Sequence, residues 1–280
     1  SGTAAITVTS TVPPPAGSVL LAAGDIAVCS TTFDEATANV LDGQAGTIAA
    51  LGDLAYDNGT AAEFTNCYDP GWGRHKARTK PAPGNHEYNT AGASGYYGYF
   101  GAAAGDPAKG YYSYDLGDWH VIVLNSNCSF VSCAAGSTQE MWLRADLAAT
   151  SKACILAYWH HPRVSSDATH GNNSGVAPFW NALYQAGADI VLNGHAHTYE
   201  RFAKQNPSQG ADAAGIREFI VGTGGRSPLY GWGTIQPNSQ VRQNTAHGVL
   251  RLTLGSGTYA WQFLPVAGST WTDSGSGSCN

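Results

Sequence analysis

Two histidines two residues apart, His195 and His197, follow a short apolar run in DIVLNGHAHTYER, residues 189–201. In extended backbone, residues i and i+2 point to the same side, so both imidazoles would face one site at the end of that strand. Such a pair suits a metal ion, and it also suits an ordinary polar loop; the other strand ends decide between the readings. SVLLAAG runs into Asp25, and TIAALG runs into Asp53 with Tyr56 just beyond. KPAPG is followed by Asn85, His86 and Glu87, and CILAYW by His160 and His161. Singly, an Asp after a strand is a common turn former and Asn-His a common loop pair. Together, five successive strand ends carry carboxylate, phenol, amide and imidazole, the donor types that hold hard and borderline metal ions. In an open α/β sheet, ligands bind at the carboxyl ends of the strands.

Those donors need a scaffold of alternating strands and helices. SVLLAAG reads as a strand, TFDEATANVLDG as a helix and GTIAALG as a strand, with a helix near 61–67 and a short strand at KPAPG. The runs YYSYDLG and WHVIVLN form a hairpin turning at Gly117-Asp118. STQEMWLRADLAAT is the clearest amphipathic helix, with Ser137 or Thr138 as N-cap and Glu140 in its first turn. CILAYW is a strand, APFWNALYQAG a helix ended by Gly187, and DIVLN a strand. REFIVGTGG, HGVLRLTLG and TYAWQFLPV close the chain as strands. The aromatic run GYYGYF, residues 95–100, reads as packing beneath a loop rather than as a pocket wall. Residues 1–17 hold an alternating TAAITVTSTV and then PPP, a leading strand or linker with a stiff break.

Of the 280 residues only 12% are charged, about half the usual share. Gly, Ala, Ser, Thr and Asn fill the deficit, a pattern common in secreted proteins. The net charge of −6, with no basic cluster, argues against a nucleic-acid partner. No apolar run approaches the length of a membrane span. The chain begins SGTAAI without Met, which reads as already processed or trimmed. Its six cysteines include no C-x-x-C pair, which disfavours a zinc ribbon or a thioredoxin-like motif. Cys279 stands in the tail GSGSCN, where a buried free thiol makes no sense; a disulfide pinning that tail implies an oxidising compartment. Six cysteines admit many pairings, and the expected one is Cys29–Cys67, Cys128–Cys133 and Cys154–Cys279.

The blocks Gly24-Asp25, Gly52-Asp53-Leu54-Ala55-Tyr56, Gly84-Asn85-His86-Glu87, Trp159-His160-His161-Pro162 and GHAHTYER occur in that order over residues 24–201. As a set they resemble the calcineurin-like metallophosphoesterases. The Tyr56 position and the GHAHTYER ending are similar to the purple acid phosphatases in particular. Two departures stand out. Ala27 occupies a loop position where the family usually has Gly, and residues 1–17 are too short for the N-terminal β-domain of plant-type members. The resemblance implies a four-layer αββα sandwich of two mixed β-sheets flanked by helices. Residues 18–280 would form one catalytic domain with a disulfide-pinned C-terminal tail, strands 216–264 completing the second sheet.

By the same resemblance, one metal would be held by Asp25, Asp53, Tyr56 and His197. The other would take Asn85, His160 and His195, with Asp53 bridging the two. Donor chemistry agrees: two carboxylates and a phenolate suit Fe(III), while imidazoles with a shared carboxylate and a neutral amide suit Zn, Fe or Mn as a divalent ion. A phenol ionises near pH 10 unaided, so binding as phenolate calls for a strongly acidic ion beside it. The implied activity is that of a secreted phosphatase acting on a small phosphate monoester by in-line attack of a metal-bound hydroxide. Phosphodiester or nucleotide pyrophosphate hydrolysis on the same site stays open, as does a non-catalytic extracellular metal-binding role. His86 would face the substrate phosphate or orient the attacking hydroxide, and His170 would contact substrate and protonate the leaving alkoxide. His161 would orient a neighbouring ligand, whereas His75, His120 and His247 read as structural. Oligomeric state is not legible.

Overall fold

The alternation of side chains along the central strands builds two large cores, beside a small third cluster of Val164, Ala196, Phe202 and Ile220. The structure, a computed structural model, describes residues 17–280, so the expected leading strand and linker, Gly17 apart, lie outside the described residues. In chain order the elements are β1 (Ser18–Ala23), α1 (Phe33–Asp42), β2 (Thr47–Leu51), α2 (Ala61–Glu63), β3 (Thr79–Ala82), α3 (Ser94–Phe100), β4 (Tyr112–Leu116) and β5 (Trp119–Val123). There follow α4 (Thr138–Ala149), β6 (Cys154–Tyr158), α5 (Ala177–Gln185), β7 (Ile190–Asn193), β8 (Tyr199–Phe202), β9 (Arg217–Val221) and β10 (Ser239–Gln243). The described chain closes with β11 (Gly248–Gly255), β12 (Thr258–Pro265) and β13 (Ser274–Ser278). One sheet runs β13-β12-β11-β1-β2-β3 and the other β10-β8-β9-β7-β6-β5-β4. Both are mixed: β1 pairs parallel with β2 and antiparallel with β11, while β5, β6, β7 and β9 are parallel neighbours.

In the second sheet, Val121, Val123, Leu156, Tyr158 and Leu192 point toward the first sheet and meet Leu20, Leu250 and Leu252. Their neighbours Ile122, Ile155, Ala157 and Val191 point the other way, onto Leu143 of α4 and Phe179, Trp180 and Leu183 of α5. On the first sheet's outer side, α1 buries Asp34, Thr37, Ala38 and Leu41, the i, i+3, i+4, i+7 stripe of an amphipathic helix. This is the expected four-layer αββα sandwich. Polar ties also cross between the sheets: Trp119 Nε1 donates to Gly255 O at 2.9 Å and the Tyr158 hydroxyl to Lys80 O at 2.8 Å. Ser137 caps α4, its Oγ accepting the Glu140 N–H at 3.3 Å. In GYYGYF, Tyr96, Tyr97 and Phe100 are buried on α3, as a packing role requires.

Three features differ from expectation. The strands after residue 216 do not all complete the second sheet: β9 and β10 join it, whereas β11 and β12 pair beside β1 in the first. The Gly/Ser tail is not irregular but forms edge strand β13, paired antiparallel with β12. Gly275 and Gly277 stand opposite Trp261 and Tyr259, and a Cβ on either would lie 2.3–2.5 Å from those rings. Glycine there lets the aromatic rings lie across the strand. Finally, Tyr199–Phe202, read only as motif, is strand β8, and the polar β10 was not anticipated. All three expected disulfides are present, with Cα–Cα distances of 4.7, 5.1 and 5.5 Å for Cys29–Cys67, Cys128–Cys133 and Cys154–Cys279.

Candidate metal centre

The site is built where strand ends of both sheets meet. Asp25, Asp53 and Asn85 follow β1, β2 and β3 of the first sheet; His160 and His195 follow β6 and β7 of the second. Three of these residues leave their strands with left-handed backbone, Asp25 at φ 59°, Asp53 at φ 52° and His195 at φ 66°. Such conformations are uncommon outside glycine and persist only where surrounding contacts enforce them. The contacts are present: the Asp25 N–H donates to Gly52 O at 3.0 Å, and the His195 N–H to Asp25 Oδ2 at 2.7 Å. Glycines leave room for the carboxylates. A Cβ on Gly84 would stand 2.2 Å from Asp53 Oδ1, and one on Gly194 would stand 2.7 Å from Asp25 Oδ2.

The side chains gather in two linked groups. In one, the Tyr56 hydroxyl donates to Asp25 Oδ1 at 2.9 Å and lies 3.2 Å from Asp53 Oδ2 and 3.3 Å from His197 Nε2. His197 Nε2 is itself 3.3 Å from Asp25 Oδ1. In the other, His160 Nε2 lies 3.1 Å from Asp53 Oδ2 and 3.2 Å from His195 Nδ1. Asp53 thus touches both groups. Asn85 sits between Gly84 and His86, whose N–H donates to Asp53 Oδ1 at 2.8 Å. The Asn85 Oδ1 is buried and has no hydrogen-bond partner, which marks an acceptor waiting for a cation or donor.

Electrostatics test the fit to metal. Burial, then the Asp25 and Asp53 carboxylates, push the Tyr56 phenol well above its ordinary range. A neutral phenol is therefore its state without a cation, and only a strongly acidic ion would make it a phenolate. Burial opposes charge on His160, yet the Asp53 carboxylate wins and raises it to about 9. Burial and the neighbouring His160 drive His195 far below the usual imidazole range. His160 Nδ1 lies 2.8 Å from Leu51 O, which leaves Nε2 as the nitrogen turned toward Asp53. The donor set and the orphaned amide oxygen fit two metal ions.

The remaining histidines sort by position. His86 Nδ1 is 2.6 Å from Asp57 O, its ring centroid is 4.4 Å from that of Tyr56, and its side chain is part-exposed beside the site. His170 stands over the site, its ring 4.2 Å from His195 and 5.9 Å from His197. His161 packs 4.3 Å from His195, with Nδ1 2.8 Å from Ser126 Oγ, and burial and His160 lower it to about 3. His75 pairs with Asp42, His120 with Asp115 and Asp146, and His247 stacks on Phe33, all apart from the donor groups. Sequence reasoning missed three participants. Glu87 was quoted only as motif, yet it is wholly buried and accepts backbone N–H groups of Asp53, Leu54 and Gly84 at 2.6–2.9 Å. Tyr230 stacks on His197 at 4.3 Å and 10°, and Arg226 lies 4.8 Å over the Tyr56 ring. Both come from a loop without periodicity, so no local pattern singles them out.

Comparison with known proteins bears on this arrangement. The model of the calcineurin-like phosphoesterase family matches residues 18–199. Purple acid phosphatase 15 of Arabidopsis thaliana is 26% identical over 238 residues, covering 72% of this chain and 44% of that protein. Purple acid phosphatase 21 from the same plant is 30% identical over 151 residues, 51% of this chain and 34% of that protein. The chain therefore spans less than half the length of these curated relatives. Among solved structures, purple acid phosphatase PPD1 from yellow lupin (Lupinus luteus) seeds superposes with a TM-score of 0.72 at 18% identity, over 94% of this chain and 54% of that one. GAP50, described as the anchor in the inner membrane complex of Plasmodium, superposes with a TM-score of 0.71 at 14% identity, over 95% and 89% of the two chains. At those identities the structural likeness shows the fold alone. The family model covers well over half of the sequence, and the chain belongs to the calcineurin-like phosphoesterase family.

Proposed function

We propose that this chain is a secreted phosphatase with a dinuclear metal centre that hydrolyses phosphate monoesters. The observation that carries the reading is the Tyr56 hydroxyl set among Asp25 Oδ1, Asp53 Oδ2 and His197 Nε2 at 2.9–3.3 Å. Asp25, Asp53, Tyr56 and His197 would hold Fe(III); Asp53, Asn85, His160 and His195 would hold Zn, Fe or Mn as a divalent ion. When bound, the two cations supply Lewis-acid charge to the phosphoryl oxygens and ionise the attacking water. His86, part-exposed beside Asp53, would face the substrate phosphate or orient the attacking hydroxide. His170, its ring 4.2 Å from that of His195, would pass a proton to a departing alkoxide; burial and nearby His197 hold its imidazole below the ordinary range, so that role calls for acidic pH. Three disulfides support an oxidising, extracellular setting.

The neighbour described as an anchor raises a non-catalytic reading, but the complete donor set here favours chemistry. The deciding experiment combines metal analysis of purified protein with parallel assays on an aryl phosphate and its bis-aryl ester. About two metals per chain, iron among them, with faster monoester turnover is the expected result. Diester preference would shift the reading to a phosphodiesterase, and metal binding with no turnover of either would favour the anchor-like role.

A further inference from the structure

The loop between β9 and β10 is stapled to the segments that carry the site. The Gly224 N–H donates to Gly24 O at 2.9 Å, that of Arg226 to Asp25 O at 2.8 Å, and that of Tyr230 to His197 O at 3.0 Å. Farther along, Ala168 donates to Gly231 O at 2.9 Å and Gly233 to Ser166 O at 2.8 Å, joining this loop to the one bearing His170. The backbone of Arg226 is therefore fixed beside Asp25. Its guanidinium lies 4.8 Å from the Tyr56 ring centroid. The nearest carboxylate, Asp57, is 3.6 Å from Nη2, beyond hydrogen-bond length, and the two side chains are 28% and 68% exposed. Among the described residues the Arg226 side chain makes no hydrogen bond, and its one ion-pair partner is the exposed Asp57, so its planar fork of donors stays open to a ligand.

A free guanidinium on the rim of a phosphate site, on a chain of net charge −6, is suited to bidentate recognition of a second anion. We propose that Arg226 is a specificity-determining residue that binds an anionic group next to the scissile phosphate, favouring phosphoanhydrides over esters of neutral alcohols. The inference rests on the phosphatase reading and names a substrate class for it. In hydrolysis one P–O bond forms from water and the bridging P–O bond breaks. The electron pair of the broken bond leaves on the second phosphate, which Arg226 holds. That phosphate is a good leaving group and needs no proton from His170, while the proton of the attacking water goes to solvent.

Calorimetric binding of imidodiphosphate, an analogue of the anhydride with a P–NH–P bridge, and of orthophosphate to the metal-loaded protein tests the idea. Arg226→Ala should weaken imidodiphosphate roughly 10- to 100-fold more than orthophosphate, and Arg226→Lys should recover part of the difference. Relative kcat/KM for inorganic pyrophosphate against an aryl phosphate should fall in parallel. Equal losses for both ligands, or no loss, would overturn the assignment. Should the alanine variant fail to fold, Arg226→Gln keeps the stem over Tyr56 and carries the same comparison. A wild type that turns over neither substrate sinks the phosphatase reading, while the two binding constants still decide the role of Arg226.

Discussion

Glu87 Oε2 accepts the backbone N–H of Asp53 at 2.9 Å while Oε1 accepts that of Leu54 at 2.7 Å, so one buried carboxylate holds the turn that aims Asp53. The Gly84 N–H, at 2.6 Å, ties the Asn85 turn to the same carboxylate. Glu87→Gln would place an amide NH2 against inward-facing N–H donors. It should destabilise the protein by about 2 kcal/mol and lower metal content as well, since both turns loosen together. Thermal unfolding and metal analysis check this; an unchanged metal content would mean that Glu87 does not position the site.

The partition of the two neighbouring histidines predicts unlike failures. His195, 3.2 Å from His160, should on replacement by Ala deplete the divalent ion and cut hydrolysis at least roughly 100-fold, while the visible charge-transfer band expected of an Fe(III)–Tyr56 phenolate pair survives. His197, 3.3 Å from the Tyr56 hydroxyl, should on replacement by Ala bleach or shift the band. Tyr56→Phe should abolish the colour. Absorbance and metal content on the three proteins decide; colour lost in His195→Ala and kept in His197→Ala would reverse the assignment.

His120 is clamped between Asp146 at 2.8 Å and Asp115 at 2.9 Å. The Asp146 carboxylate raises its imidazole above the ordinary value, burial opposes, and Asp115 adds to the rise. A raised folded-state value means that this clamp stabilises fully below about pH 6.5 and is lost as pH climbs through the folded value. His120→Gln should therefore lower Tm by roughly 2 °C or more at pH 5.5, with the gap closing by pH 9. A gap that widens with pH would contradict the clamp.

The Cys154–Cys279 disulfide closes 125 residues and anchors edge strand β13. Cys279→Ser should cost roughly 2–5 kcal/mol and expose the β13 amides to exchange, with the distant site left active. Thiol labelling of the unreduced, unfolded wild type should find no free cysteine, matching the described structure. Protection of β13 persisting in the variant would show that pairing with β12 alone suffices.

The fold was legible where an apolar run ended in a chemically distinct residue. Leu20–Ala23 before Asp25 and Ile190–Leu192 before the histidines announce both the strand and the candidate donors at its end, because burial dictates the run and its polar terminus stands out against it. A helix such as α4 announces itself through Ser137 and the Leu143 face. By contrast β13, SGSGS, has no apolar side chains to pattern; Tyr259 and Trp261 of β12 lie across its glycines. Arg226 and Tyr230 are held beside the donors by backbone bonds to Asp25 and His197, contacts that no sequence spacing encodes.

Because donors from the first sheet (Asp25, Asp53) and the second (His160, His195) meet at one point, the centre sits across the seam between the sheets. Any ions held there act as a rivet between two halves that otherwise adhere through apolar packing and hydrogen bonds such as those of Trp119 and Tyr158. Unfolding then requires metal release, and Tm should climb with free metal by the ordinary mass-action relation. A chelator should lower Tm, and it should speed unfolding more than it slows refolding if the rivet sets last. Longevity of the folded chain would then depend on metal supply as much as on the chain itself.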